Sequence, residues 1–313
     1  MPVVLDPDAA FVYKAFQEAG RPAYETLTAP EAREYYLNAR LVSNPEPPEL
    51  QSVTSLSIPA PHGAIPARLY TPKKLRTAGG LAPCLVFFHG GGWVIGNLET
   101  HDVACRQLAD AGELIVISVD YRLAPEHKFP AAVDDAIEAT KWIAANAKQL
   151  GIDASRVTVG GDSAGGNLAA VVSLAARESG PKLAGQVLIY PATDFSRKHP
   201  SHREPETSIL LTHSVIGWFS DHYLGGADIG DWRASPARAA SLAGLPPAYV
   251  LTAGADPLRD EGDEYAKRLQ DAGVSVTTKH FPGQFHGFFT MGKLLNQANI
   301  AASDIGAWLK ALN

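Results

Sequence analysis

Ser163 stands inside Gly161-Asp-Ser-Ala-Gly165, a G-x-S-x-G pentapeptide. The short β-branched run Val157-Thr-Val159 precedes it, and an Ala- and Val-rich stretch follows from Leu168. Together these read as a buried strand, a glycine turn and a helix. In such a turn a nucleophile adopts a strained backbone that lifts its Oγ above the sheet, and flanking glycines leave room where a Cβ would collide. The helix then aims its free N–H groups at any anion that forms beside Ser163. The pentapeptide alone arises by chance in about one chain in ten of this length. Its setting, and the partners downstream, separate it from an ordinary glycine turn.

A serine hydroxyl needs a base, and the base needs a carboxylate to hold its tautomer. In an open parallel sheet both belong at the carboxyl ends of strands. A strand at Ala248–Thr252 ends in Ala253-Gly-Ala-Asp256, and a strand at Val274–Thr278 runs on to His286. Asp256 is preferred over Asp260 and Glu261, which lie a turn further on and begin a helix. His286 is preferred over His280, which is close enough to the strand to be held in the sheet. A third strand, Cys84–Phe88, enters His89-Gly-Gly-Gly-Trp93, where consecutive glycines leave main-chain N–H groups uncovered, as oxyanion stabilisation requires. A merely flexible turn is the competing reading. The order Ser163, Asp256, His286 is that of an α/β-hydrolase.

The elements that must position these residues alternate along most of the chain. After a hairpin (52–58 and 65–70) come strands at Cys84–Phe88, Leu114–Val119, Val157–Val159, Gln186–Tyr190, Ala248–Thr252 and Val274–Thr278. Helices are expected at 130–147, after Ser163, and at about 258–272 and 296–311. The pattern predicts an α/β fold with a mostly parallel central sheet flanked by helices. Residues 192–235 break the rhythm and read as an insertion. Two amphipathic N-terminal helices, at about 8–20 and 28–42, precede a Pro-rich linker; the second opens on a capping box at Thr28–Glu31. The expected organisation is therefore residues 1–48 as cap helices and linker, and 49–313 as the catalytic domain with a cap insertion at 192–235. The two cap segments are expected to pack together over the mouth of the site and limit its acyl pocket.

The 313 residues are 46% hydrophobic and 19% charged, with a net charge of −6, which disfavours nucleic acid and anionic membranes as partners. Neither a signal peptide nor a membrane-spanning apolar run is visible. Cys84 and Cys105 read as buried thiols of a reducing cytoplasm. No HExxH, G-x-G-x-x-G or Walker A pattern occurs, so neither a metal nor a cofactor is expected.

His89-Gly-Gly-Gly-Trp93, Asp120-Tyr-Arg-Leu-Ala-Pro-Glu-His127, Gly161-Asp-Ser-Ala-Gly-Gly-Asn167, Asp256-Pro-Leu-Arg-Asp-Glu-Gly262 and His286-Gly-Phe288 resemble the bacterial hormone-sensitive-lipase family of esterases, over roughly residues 50–312. The resemblance implies an α/β-hydrolase fold with a helical cap and a Ser-His-Asp carboxylic ester hydrolase; the finite pocket expected under a closed cap favours short- to medium-chain acyl esters. It implies oxyanion donors at the N–H groups of Gly91, Gly92 and Ala164, with Asp162 marking the GDSAG branch. Tyr121–Glu126 is a family signature read as a loop tied by charge pairs beneath the site. Trp93, Trp218 and Phe288 are candidates for lining the acyl pocket, with core or cap packing the competing reading. A homodimer is compatible with the resemblance. Two other classes stay open: a non-catalytic small-molecule binder, since plant gibberellin receptors resemble this family but lack a complete triad, and an amidase or peptidase.

Overall fold

The computed structural model describes residues 3–312. Its eight strands are β1 (Ser52–Ala60), β2 (Gly63–Thr71), β3 (Ala82–Phe88), β4 (Ile115–Val119), β5 (Ile152–Asp162), β6 (Gly185–Ile189), β7 (Ala248–Ala255) and β8 (Val276–Phe285). They form one sheet in the order β1-β2-β4-β3-β5-β6-β7-β8. The β1–β2 and β2–β4 pairs are antiparallel and the remaining pairs parallel. This is the α/β-hydrolase architecture.

The central strands are apolar throughout because both faces are covered. Alternation along β3 divides its side chains between two cores: Cys84, Val86 and Phe88 join one, Leu85 and Phe87 the other. The first core is closed by α4 (Ala131–Ala145), α5 (Ala164–Ser179) and α7 (Arg259–Asp271). The second is closed by α3 (Asp102–Gly112) and α8 (Asn296–Leu312). Each fully buried Leu, Ile or Val contributes about 1.5–3 kcal/mol, so this two-sided burial is the main stabilising term.

Three features depart from the pattern read in the sequence. Helix α3 fills the connection between β3 and β4, where no helix was expected. Its buried residues Val103, Ala104, Cys105, Leu108 and Ala109 make the missing crossover. A second helix, α6 (His213–Leu224), lies within the insertion. Finally, β8 starts at Val276, two residues later than expected, and continues through Phe285. It is an edge strand with exposed Thr277–His280, so it lacks a continuous apolar run, and an edge position tolerates Pro282.

At the N-terminus, α1 (Pro7–Glu18) buries Ala9 and Val12 in the second core. Asp6 accepts a hydrogen bond from Gln284 Nε2 at 2.9 Å, and its N–H donates to the Gly283 carbonyl at 2.9 Å, which ties this end to β8. The capping box is present: the Thr28 N–H donates to Glu31 Oε2 at 2.8 Å and opens α2 (Ala29–Ser43). Cys84 and Cys105 are buried free thiols. Among the described residues no helix is long and apolar enough to cross a membrane.

Candidate active site

The sheet register brings four strand ends to one edge. Gly161 pairs with Phe88 and Leu188, Asp162 with Ile189, and Ala255 with Phe285. The next residues on β3, β5, β7 and β8 are therefore His89, Ser163, Asp256 and His286. Far apart in sequence, they meet because parallel strands end together.

Ser163 has φ +55° and ψ −115°, a region costly for any residue with a side chain. The Ser163 N–H donates to the Ile189 carbonyl at 2.8 Å, and its carbonyl receives the Asn167 N–H that begins α5. Gly165 is required by close approach, since a Cβ there would overlap the Phe88 carbonyl oxygen. His286 Nε2 lies 2.9 Å from Ser163 Oγ, and His286 Nδ1 lies 2.8 Å from Asp256 Oδ2. Asp256 is fully buried, and its Oδ1 accepts the Leu258 N–H at 2.8 Å. The Tyr190 ring packs on the imidazole with centroids 4.7 Å apart.

The rival residues are occupied elsewhere. Asp260 accepts from Arg259 and the Ser201 N–H, and Glu261 from His202 at 2.7 Å. His280 lies within β8 and meets Thr252 Oγ1 at 2.9 Å.

The glycine run after β3 turns sharply. Gly91 has φ +120°, which a residue with a Cβ rarely adopts, and its carbonyl accepts from both Val94 and Ile95. Among the described residues the N–H groups of Gly91 and Gly92 donate to no protein group, and both residues line the cavity that contains Ser163 and His286. Ala164 is the first residue of α5, where main-chain N–H groups lack intrahelical acceptors.

A buried carboxylate, unassigned in the sequence, joins this loop to the serine turn. Asp162 Oδ1 accepts the Gly90 N–H at 2.9 Å and lies 3.2 Å from His101 Nε2. Burial pushes the Asp162 carboxyl up, but His101, with help from His89 and the Gly90 N–H, outweighs it and holds the group below its ordinary range. Burial, assisted by the neighbouring His101, pushes His89 down to about 3. It is therefore a neutral imidazole whose Nδ1–H donates to the Gly90 carbonyl at 2.8 Å. No local signal marks His101 as the partner of Asp162, 61 residues away.

Asp162→Ala is expected to destabilise the fold by about 3 kcal/mol, because His101 and the Gly90 N–H lose their buried acceptor. A carboxyl depressed in the folded state contributes stability above the ordinary carboxylate range and loses it as pH falls through the folded value. Urea midpoints of variant and wild type should thus differ most near neutrality and converge in acid. A constant difference across pH would show that the charge is immaterial.

The Tyr121–Glu126 segment is tied by charge pairs. Arg122 grips Asp135 through Nη2 at 2.8 Å, and Arg33 of α2 grips Glu126 at 2.6 Å. Arg33 also donates to the Val94 and Ala124 carbonyls, which holds α2 against the glycine loop.

The cavity over Ser163 measures about 340 Å³. Its walls come from both segments outside the regular alternation: Tyr24, Tyr36 and Arg40 from one, Leu211, Val215 and Phe219 from the other. Trp93 lines it and stacks on Tyr223 at 4.4 Å. Trp218 and Phe288 do not. Trp218 neighbours Phe219 on α6, so it points about 100° away, where it packs on His222. Phe288 follows a left-handed Gly287 that turns it into the second core against Phe281.

Fold and strand-end site together define the class of carboxylic ester hydrolases built on the α/β-hydrolase sheet. A family model described as the alpha/beta hydrolase fold matches residues 85–290. The carboxylic ester hydrolase LipN of Mycobacterium tuberculosis is 44% identical over 88% of this chain and 74% of its own. The ethyl acetate hydrolase of Pseudomonas putida is 39% identical over 94% and 95%. Among solved structures, an ester hydrolase from the Lake Arreo metagenome, complexed with a bipyridine phosphonate derivative, superposes with a TM-score of 0.93 at 43% identity, covering 98% and 99% of the two chains. The chain belongs to this alpha/beta hydrolase family, in its hormone-sensitive-lipase type.

Proposed function

We propose that the protein hydrolyses carboxylic esters of short to medium acyl length, with Ser163 as nucleophile, His286 as base and Asp256 as the carboxylate that orients it. The observation that carries this reading is the continuous pair of contacts, 2.9 Å from Ser163 Oγ to His286 Nε2 and 2.8 Å from His286 Nδ1 to Asp256. His286 takes the hydroxyl proton as Ser163 attacks the ester carbonyl. The N–H groups of Gly91, Gly92 and Ala164 receive the oxyanion, where prealigned donors are worth most. The protonated imidazole returns its proton to the leaving alcohol. Water, activated by the same imidazole, then releases the acid.

Residues 1–48 and 192–235 act in this reading as a cap that bounds the acyl site. Support comes from the shared lining of the cavity by α2 and α6. At about 340 Å³ it lies near the lower end of small-molecule pockets, about 300–1,000 Å³, which suits a short chain. A cytoplasmic location agrees with two buried free thiols.

An organophosphonate should inactivate the enzyme with one adduct, on Ser163, and kcat/KM should fall steeply from butanoyl to dodecanoyl esters. An adduct on another residue would reject the nucleophile. Rates still rising at long chains would reject the bounded pocket.

A further inference from the structure

Arg21, Arg40 and Arg197 all line the cavity over Ser163, and among the described residues none of them pairs with a carboxylate. Elsewhere arginines are commonly ion-paired, as Arg33 is with Glu126, Arg122 with Asp135 and Arg259 with Asp260. Arg40, on α2, is the most deeply placed of the three, only 6% exposed. Its guanidinium lies 4.8 Å from the centre of the Tyr36 ring, and its Nη1 donates to Thr290 Oγ1. The Nε is buried without a partner. A guanidinium carries five N–H donors, and the fork suits a carboxylate bound at two points.

No acid of the cavity answers this charge. Asp162 is held by His101 and Gly90, Asp194 by Ser196 and Arg238, and Glu261 by His202. Glu25 is exposed and pairs with none of the three arginines. A buried cation without a counter-charge is costly, and low polarity around it strengthens its attraction for an incoming anion. Thr290, which accepts from Arg40, donates in turn to the Gly287 carbonyl at 3.4 Å, one residue from His286. The charge thus borders the reacting end of the cavity.

We propose that Arg40 is a carboxylate-binding residue, and that the preferred substrates are small esters that carry a free carboxylate. Resting on Ser163 as nucleophile, the inference specifies what the ester bears. The carboxylate can sit in the acyl part, as in a half-ester of a short dicarboxylic acid, or in the alcohol part, as in an acyl ester of a hydroxy acid.

Two matched pairs distinguish these sources. Monoethyl glutarate is compared with ethyl 4-carbamoylbutanoate, and carboxymethyl butanoate with carbamoylmethyl butanoate; within each pair size is kept and charge removed. Wild-type enzyme should favour the carboxylate at least tenfold in kcat/KM in one pair, and that pair identifies the side. Arg40→Met should bring the ratio close to one, and Arg40→Lys should keep part of it, because charge survives but the fork is lost. The neutral partner reports whatever either variant does to the shared machinery. A wild-type ratio at or below one in both pairs overturns the proposal, as does a ratio unaffected by Arg40→Met. If Arg40→Met fails to fold, the wild-type ratio and Arg40→Lys decide. Calorimetric binding of the half-ester to Ser163→Ala separates the two readings. Arg40-dependent binding without wild-type turnover keeps the carboxylate site and rejects the hydrolytic role. Turnover of neutral esters without carboxylate selection does the reverse.

Discussion

On the proposed triad, Ser163→Ala is expected to lower kcat on a short-chain ester by about a millionfold and to leave KM nearly unchanged. Removing the nucleophile of a serine triad costs about as much as removing the whole triad, and what remains is the catalysis supplied by the oxyanion donors and substrate binding. Single-turnover measurements with titrated active sites would check this, since trace wild-type enzyme sets the floor. The variant stays folded, because the Ser163 hydroxyl supports no contact beyond His286. The backbone strain at φ +55° belongs to the turn and persists in alanine. Ser163→Gly should relieve it and raise stability by about 1 kcal/mol. A Ser163→Ala enzyme that kept a tenth of its activity would remove Ser163 from the chemistry.

Asp256→Asn is expected to reduce kcat by about 10⁴-fold with little loss of fold. The asymmetry follows from how the carboxylate is held. Oδ1 accepts the Leu258 N–H and Oδ2 faces His286 Nδ1. Asparagine can keep its oxygen on Leu258, which turns its NH₂ towards the imidazole. Nδ1 must then accept, so the proton moves to Nε2, and Nε2 can no longer take the proton of Ser163. Asp260→Asn is the control: its contacts are Arg259 and Ser201, and its loss in kcat should stay below tenfold. Comparable losses in the two variants would mean that the orienting carboxylate has been misidentified.

Much of the candidate site is legible in the sequence because the constraints on it are local. The Gly161–Gly165 turn is readable from steric exclusion, since the Phe88 carbonyl leaves no room for a Cβ at Gly165. Strand-end placement selected His286 over His280, which lies in β8. Less was legible where the signal is weak or shared. The edge strand β8 carries polar residues, and its extent is decided by pairing with β7. Helix α3 mixes its apolar positions with Asp102, Arg106, Gln107 and Asp110, and its buried face shows only once it packs on the sheet. Among the aromatic candidates, Trp93 lines the cavity, but Trp218 and Phe288 are turned away by helix rotation and by Gly287.

The class of fold, the serine turn, the glycine loop and the chain order of the three candidate side chains Ser163, Asp256 and His286 are all readable from the amino-acid order. Each follows from short-range rules: strand alternation, room for a Cβ, and the position of a residue just past a strand. Folding is what brings Asp162 onto the Gly90 N–H and His101, so that it joins the serine turn to the glycine loop, and what sets Arg33 of α2 against that loop. It alone left Arg40 in the cavity without a carboxylate. Such contacts span 61 to 250 residues, and whether a buried charge is answered depends on every group that folding brings near it.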